Sequence, residues 1–230
     1  MAITGLTGSG TGYTNPSAMK RRMIDGAADH PWRFFWGYIA ATTLIYQLAL
    51  HVPITTPTVI PPLPWDASVP LLPWSAWLYM SYFFLMPSWV VATRRADTAE
   101  ARRAGARLLL AGMAVVFGNL AINTLLPTEV GRTLSPDQAG GWPLSAIIEG
   151  DTPRAALPSG HVSLPAGLTA LAFLGRLRAR WGYAAWTVVL GVSVLTTRQH
   201  VLLDAVAGLA WGPLAAVLAH RLLREPLASA

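Results

Sequence analysis

The chain contains no cysteine, which excludes disulfides, thiolate nucleophiles and thiolate metal ligands, and leaves thiol usage silent about compartment. Charge is scarce as well. Only 12% of the 230 residues are Asp, Glu, Lys or Arg, against 53% apolar side chains and ten tryptophans, a balance that soluble domains do not usually show. The first 25 residues lack an apolar core and are rich in Gly, Ser and Thr, so they read as a flexible tail and not as a cleavable signal.

What the chain does have is long apolar runs. Three of them, Trp32 or Phe34 to Leu50, Trp74 to Ala92 and Leu108 to Leu126, each match the hydrocarbon thickness of a bilayer and predict membrane spans. Val162 to Leu174 and Tyr183 to Thr196 are shorter, but the arginines of "GRLRARWG" between them can snorkel, and Trp181 and Tyr183 are interfacial residue types. Val201 to Leu218 completes a predicted all-α bundle of six transmembrane helices over residues 26–225, with a short tail at 226–230.

The formal charge of +6 would suit nucleic acid, but its distribution argues for a membrane and against that partner. Fourteen of the seventeen basic residues fall on one side of the six-span scheme: Lys20, Arg21, Arg22 and Arg33; five between Arg94 and Arg107; Arg176, Arg178 and Arg180; and Arg221 with Arg224. The positive-inside rule makes that side cytoplasmic, with both termini inside and the opposite face extracytoplasmic, as in an inner or plasma membrane protein. Arg132, Arg154 and Arg198 are the exceptions, and all three lie on the outer side.

The same face collects chemistry. The fourth and sixth spans both begin outside, where helix N-termini offer unpaired N–H groups and a positive dipole end suited to an anion. Ser159, Gly160 and His161 open one, and His200 opens the other. His200 and Asp204 are one helical turn apart, so the carboxylate can hold one ring nitrogen and leave the other to attack. An acidic residue inside an apolar span is itself a site candidate. The plainer alternatives are a structural hydrogen bond for the His200–Asp204 pair, an N-capping serine in a turn for "PSGH", and solvated loop arginines. Zinc is disfavoured, because arginines on the same face oppose a dication and His51, ending the first span, reads as interfacial.

Through these residues the chain resembles the type 2 phosphatidic acid phosphatase superfamily. "PSGH" at 158–161 matches its second signature block, "TTRQHVLLDAVAG" at 196–208 is similar to the third, and "LPTEVGR" at 126–132 to the first. The resemblance implies a metal-independent, cofactor-free mechanism with His200 as nucleophile, Asp204 orienting it and His161 as general acid. It assigns phosphate binding to Arg132, Arg198, Ser159 and Gly160. The sequence departs from the pattern at Leu125, Thr133 and Val194, where the family has lysine, proline and arginine; Arg154 and Arg198 are the expected replacements. The stretch "PWSAWLYMSYF" at 73–83 and a basic residue two before His200 are closer to the inositol phosphorylceramide and sphingomyelin synthase branch.

Three expectations follow. The first is a lipid phosphatase or phosphotransferase acting on a lipid phosphate or phosphodiester; the second is a headgroup transferase with a lipid or polyol hydroxyl as acceptor; the third is a non-catalytic lipid-binding or transport protein on the same fold. The outer loops, 52–73 and 127–157, are expected to shape specificity, the second as a lid or acceptor-binding wall.

Overall fold

The structure is a computed structural model that describes residues 15–52, 54–131 and 134–224. It is mostly helical. Helix α1 (Pro16–Asp29) begins at an Asn15 cap whose side chain accepts from Ser17 N, with Pro16 in the first turn, where its missing N–H costs nothing. Residues 16–25 are therefore helical, which corrects the expectation of a flexible tail for that part, while 1–14 and 225–230 lie outside the described residues. Helix α2 (Pro31–His51) follows across a one-residue joint at His30.

The second apolar run does not make one regular helix. It passes from a 3₁₀ turn (Pro73–Ser75) through α3 (Ala76–Met80) and a second 3₁₀ stretch (Ser81–Phe84) into α4 (Leu85–Arg94). Pro87 is the physical reason: it has no N–H to give the Phe83 carbonyl, and its ring crowds that oxygen. Helix α5 (Ala99–Leu125) starts on a Thr98 cap, and α7 (Gly160–Leu174), α8 (Arg180–Thr196) and α9 (Leu202–Leu223) complete the bundle. Between α5 and α7 lies the short α6 (Leu144–Gly150). The all-α expectation needs one amendment, because β1 (Thr58–Ile60) and β2 (Thr128–Val130) form a two-stranded parallel pair joining the loop after α2 to the loop after α5.

Two of the helices, α5 and α9, are long and apolar enough to cross a membrane, with mean hydropathy 1.9 and 1.7 over their most apolar windows. Helix α7 is apolar but shorter. The other expected spans fall short on one count or another: α2 carries threonines, tyrosines and a glutamine along its length, and the 73–94 run is divided.

The centre of the molecule is the α7–α9 contact, the most extensive helix pairing in the fold. It is built on small residues. "GLAWG" at 208–212 puts Gly208 and Gly212 against α7, the spacing that lets two membrane-type helices approach backbone to backbone. A Cβ on Gly212 would lie 2.1 Å from the Ser163 carbonyl oxygen, and one on Gly208 would lie 2.8 Å from that of Ser159. Gly167 answers from α7, with its own Cβ position 3.0 Å from the Gly212 carbonyl oxygen. Helix α5 closes the other side, through Leu109, Met113 and Val115 in a core shared with Leu164, Leu168 and Leu171.

The two ends of the bundle differ. At one, Lys20 donates to the carbonyls of Leu222 and Arg224 at the end of α9, and Arg103 pairs with Asp25 at 2.7 Å. At the other, the loops are laced to helix ends: Leu72 N to the Thr196 carbonyl, and Arg154 to the Leu50 carbonyl. Gly212→Ala is expected to lower stability by about 1–3 kcal/mol through forced separation of α7 and α9. Gly191→Ala, in α8 with nothing within 4 Å of its Cβ position, is expected to be neutral or slightly stabilising. Thermal unfolding of the two variants in detergent micelles measures the contrast.

Candidate active site

His200 is placed by the way α8 ends. Thr197 closes the helix, Arg198 takes a left-handed φ of 57°, and the N–H groups of Arg198 and Gln199 turn back to the carbonyls of Leu195 and Val194, a Schellman-type termination. His200 N also reaches the Val194 carbonyl, at 3.2 Å, so the residue is fixed by its backbone before its side chain makes any contact. The imidazole Nδ1 then meets Asp204 Oδ2 at 2.6 Å, the one-turn pairing expected from the spacing. The side chains are 9% and 0% exposed, so the carboxylate is sealed from solvent and the ring is nearly so. A carboxylate on Nδ1 fixes the proton there and presents Nε2 as the lone-pair nitrogen.

Helix α7 arrives at the same point by a separate route. Ser159 N donates to the backbone carbonyl of Asp204 at 3.0 Å, stitching the cap of α7 to the first turn of α9. From α5, Asn119 Nδ2 donates to the Pro158 carbonyl at 2.9 Å and to Ser163 Oγ at 3.1 Å, and Asn123 supports it from the next turn. These contacts fix the "PSGH" turn from two sides. His161 then lies with its ring 5.8 Å from that of His200, at an interplanar angle of 54°. Its Nδ1 is 3.1 Å from Tyr79 Oη, and the rings of Tyr79 and Tyr82 lie 4.4 and 4.6 Å from it.

Both histidines open on a cavity of about 480 Å³ lined by α2, by the 79–83 segment and by α5. Much of its lining is apolar, with Ile39, Met80, Phe83, Val116, Leu120 and Ile147. Polar groups concentrate near the histidines and along α2, where Thr42, Thr43 and Tyr46 face it. Asp151 lines it too, hydrogen-bonded to Tyr46 and to Thr152 N.

The expected phosphate ligands separate on inspection. Gly160 lines the cavity, and Arg154 does so while its Nη1 donates to the Leu50 carbonyl at 2.8 Å. Ser159 is fully buried and enters through its backbone; its hydroxyl has no partner among the described residues and does not line the cavity. Arg198 stands apart: its side chain is exposed, donates to the Val69 carbonyl at 2.7 Å and does not line the cavity, and its backbone takes the left-handed turn that delivers His200. Arg132 lies outside the described residues. The start of α9 is also less open to an anion than the helix-terminus argument implied, since Asp66 Oδ1 from the proline-rich loop already accepts from Leu202 N at 2.7 Å.

Comparison with protein-family models, with curated proteins and with solved structures finds no match for this chain. The functional reading therefore rests on the geometry. Among the described residues no group of three His, Asp or Glu side chains could hold a metal ion. Tyr79, Tyr82, Asn119 and Asn123 were not singled out in the sequence; the available signal was two asparagines one turn apart inside an otherwise apolar run, "VFGNLAINTLL".

Asp66 accepts from both Leu63 N and Leu202 N, tying the proline-rich loop to the start of α9, two residues after His200. Asp66→Ala is expected to cost about 1–2 kcal/mol of stability, in the range for loss of a helix cap, as read by the detergent-phase unfolding midpoint.

Proposed function

We propose that the protein is an integral membrane phosphoesterase that cleaves a lipid phosphoester through a phosphohistidine on His200. One observation carries this reading: a buried His200–Asp204 pair and a second imidazole, His161, flank one end of a cavity whose remaining lining is mostly apolar. An amphiphile fits that division, with its phosphoryl group between the histidines and its chain along Ile39, Phe83 and Val116.

Exposed apolar side chains support a membrane setting. Leu44 and Leu48 on α2, Val188 and Val192 on α8, and Leu209, Leu214 and Leu218 on α9 all face outward, more apolar surface than a water-soluble monomer usually leaves uncovered. Exposed tryptophans flank it: Trp65, Trp74, Trp77 and Trp142 at the site end, Trp36 and Trp181 at the basic end, the arrangement of interfacial belts. In this reading six segments span the bilayer, both termini are cytoplasmic and the site faces the extracytoplasmic side of the plasma membrane.

The reaction divides into two displacements. His200 Nε2 gives its electron pair to phosphorus as the bond to the leaving oxygen breaks, and His161 Nε2–H supplies the proton that oxygen needs. Water then attacks the phosphohistidine, loses its proton to His161 Nε2 and releases His200. Arg154 and the Gly160 end of α7 are the groups positioned to hold phosphoryl oxygens. The hydroxyl-bearing wall of α2, Thr42, Thr43 and Tyr46, favours a second reading, in which an alcohol replaces water and the product is a new phosphoester.

Purified protein in detergent, given a lipid phosphate with and without added alcohol, is expected to release phosphate or to form the new ester. His200→Ala should lower turnover by about 10³-fold or more while the protein stays folded and still retains lipid. Turnover equal to wild type would exclude the phosphohistidine, and lipid binding without turnover in either protein would leave a binding or transport role.

A further inference from the structure

Resting on that reading, we infer that Tyr79 is the positioning residue of His161, holding its Nδ1 so that Nε2 is the nitrogen that gives and retakes the proton. The two histidines have different partners. His200 Nδ1 faces a carboxylate, whereas His161 Nδ1 faces a phenol, at 3.1 Å. The nucleophile gains positive charge as it attacks, and a carboxylate stabilises that charge. A proton donor must release its proton within the same step, and a carboxylate in that place would retain it. A phenol has no charge to do so, yet its oxygen can accept from Nδ1–H.

The requirement is specific about tautomer. After giving its Nε2 proton to the leaving oxygen, His161 must be neutral with the proton on Nδ1, so that the Nε2 lone pair can take a proton from water or alcohol in the second displacement. Tyr79 Oη accepting from Nδ1–H stabilises that form. The opposite arrangement, with Tyr79 donating to Nδ1, would leave the Nε2 lone pair unavailable to the second half of the cycle.

Tyr79 is stiffly held for the task. It is 3% exposed, on a short helix whose start is bound to α8 by Leu72 N to the Thr196 carbonyl and by Ser75 Oγ to Thr196 Oγ1 at 2.7 Å. Just past that helix, Trp186 Nε1 of α8 donates to Ser81 Oγ at 2.8 Å. Helix α8 is also the helix whose last turn places His200, so one element sets both the nucleophile and the support of the acid. The Tyr82 ring, its centroid 4.6 Å from that of His161, adds a second aromatic wall that limits the imidazole's rotation.

Tyr79→Phe keeps the ring and removes only the oxygen. With an alkyl phosphoester, whose leaving oxygen needs the proton, the variant is expected to lose about 100-fold in kcat, the scale of general acid catalysis, with KM changed little. With a nitrophenyl ester, which leaves without help, the loss in kcat/KM, which reports only as far as departure of nitrophenol, should be several-fold at most, against about 100-fold for the alkyl ester. Equal losses on both esters would mean a structural role only and would overturn the assignment. A second readout does not depend on turnover: in histidine-¹⁵N-labelled protein, neutral His161 is expected as the Nδ1–H tautomer, shifting toward Nε2–H in Tyr79→Phe. An unchanged tautomer would also overturn it. Wild-type protein inactive on both esters would sink the phosphoester reading, and the nitrogen resonances would then decide the Tyr79 pairing alone.

Discussion

The α7–α9 contact is the constraint on which the site depends. His161 belongs to α7 and His200 to the approach to α9, so their separation is set by how closely those helices run. With Gly208, Gly212 and Gly167 the two backbones come together, and the Ser159 N to Asp204 O hydrogen bond becomes available as a consequence. Side chains at these positions would push α7 away, break that bond and separate the imidazoles. Small residues here bring little apolar burial of their own; what they supply is distance, which in lipid is also where van der Waals contact between helices originates.

Around this contact the site is assembled from elements that reach it independently. The end of α8 delivers His200 through backbone hydrogen bonds, α5 holds the "PSGH" turn by two asparagines, and the 73–80 segment brings Tyr79 against His161. Each histidine is thus fixed in position by backbone and in orientation by a side chain from a different place. Such redundancy keeps a ring near one geometry, which a two-step transfer between the same nitrogens requires.

What could be read in the sequence follows the range of the interactions. His200, just before α9, and Asp204, in its first turn, are four residues apart, and "PSGH" is four consecutive residues, so local geometry alone brought these groups into view. The start of α9 could be placed, but not its cap, because Asp66 comes from a loop more than a hundred residues away. The place of the Arg198 side chain was hidden for a related reason. Its position two before His200 suggested a shared site, whereas a left-handed residue in a helix-ending turn directs its side chain away from its neighbour's. Tyr79 had no local mark at all: one tyrosine among the aromatics of "WLYMSYFF" is distinguished only by the histidine it meets across the bundle. The broken helix at 73–94 was legible in principle at Pro87, since proline three residues into a helix denies a donor to the turn before it.

Asp204 shows why burial and chemistry belong together here. Asp204 has no exposed surface, and one of its oxygens lacks a hydrogen-bond partner among the described residues, so water does little to screen what it does to His200. Its pull grows when the imidazole becomes positive, because the pair then attracts across 2.6 Å in a medium that screens weakly. In the proposed reaction His200 acquires its positive charge as the bond to phosphorus forms. The interaction is therefore stronger in the transition state than before it, which is the condition for a contact to raise the rate and not merely the affinity. A solvated aspartate would give up most of that difference to water. The sealed floor between α7 and α9, made by small residues, keeps the difference large, so the packing that fixes the distance between the histidines also sets the electrostatic worth of the residue behind one of them.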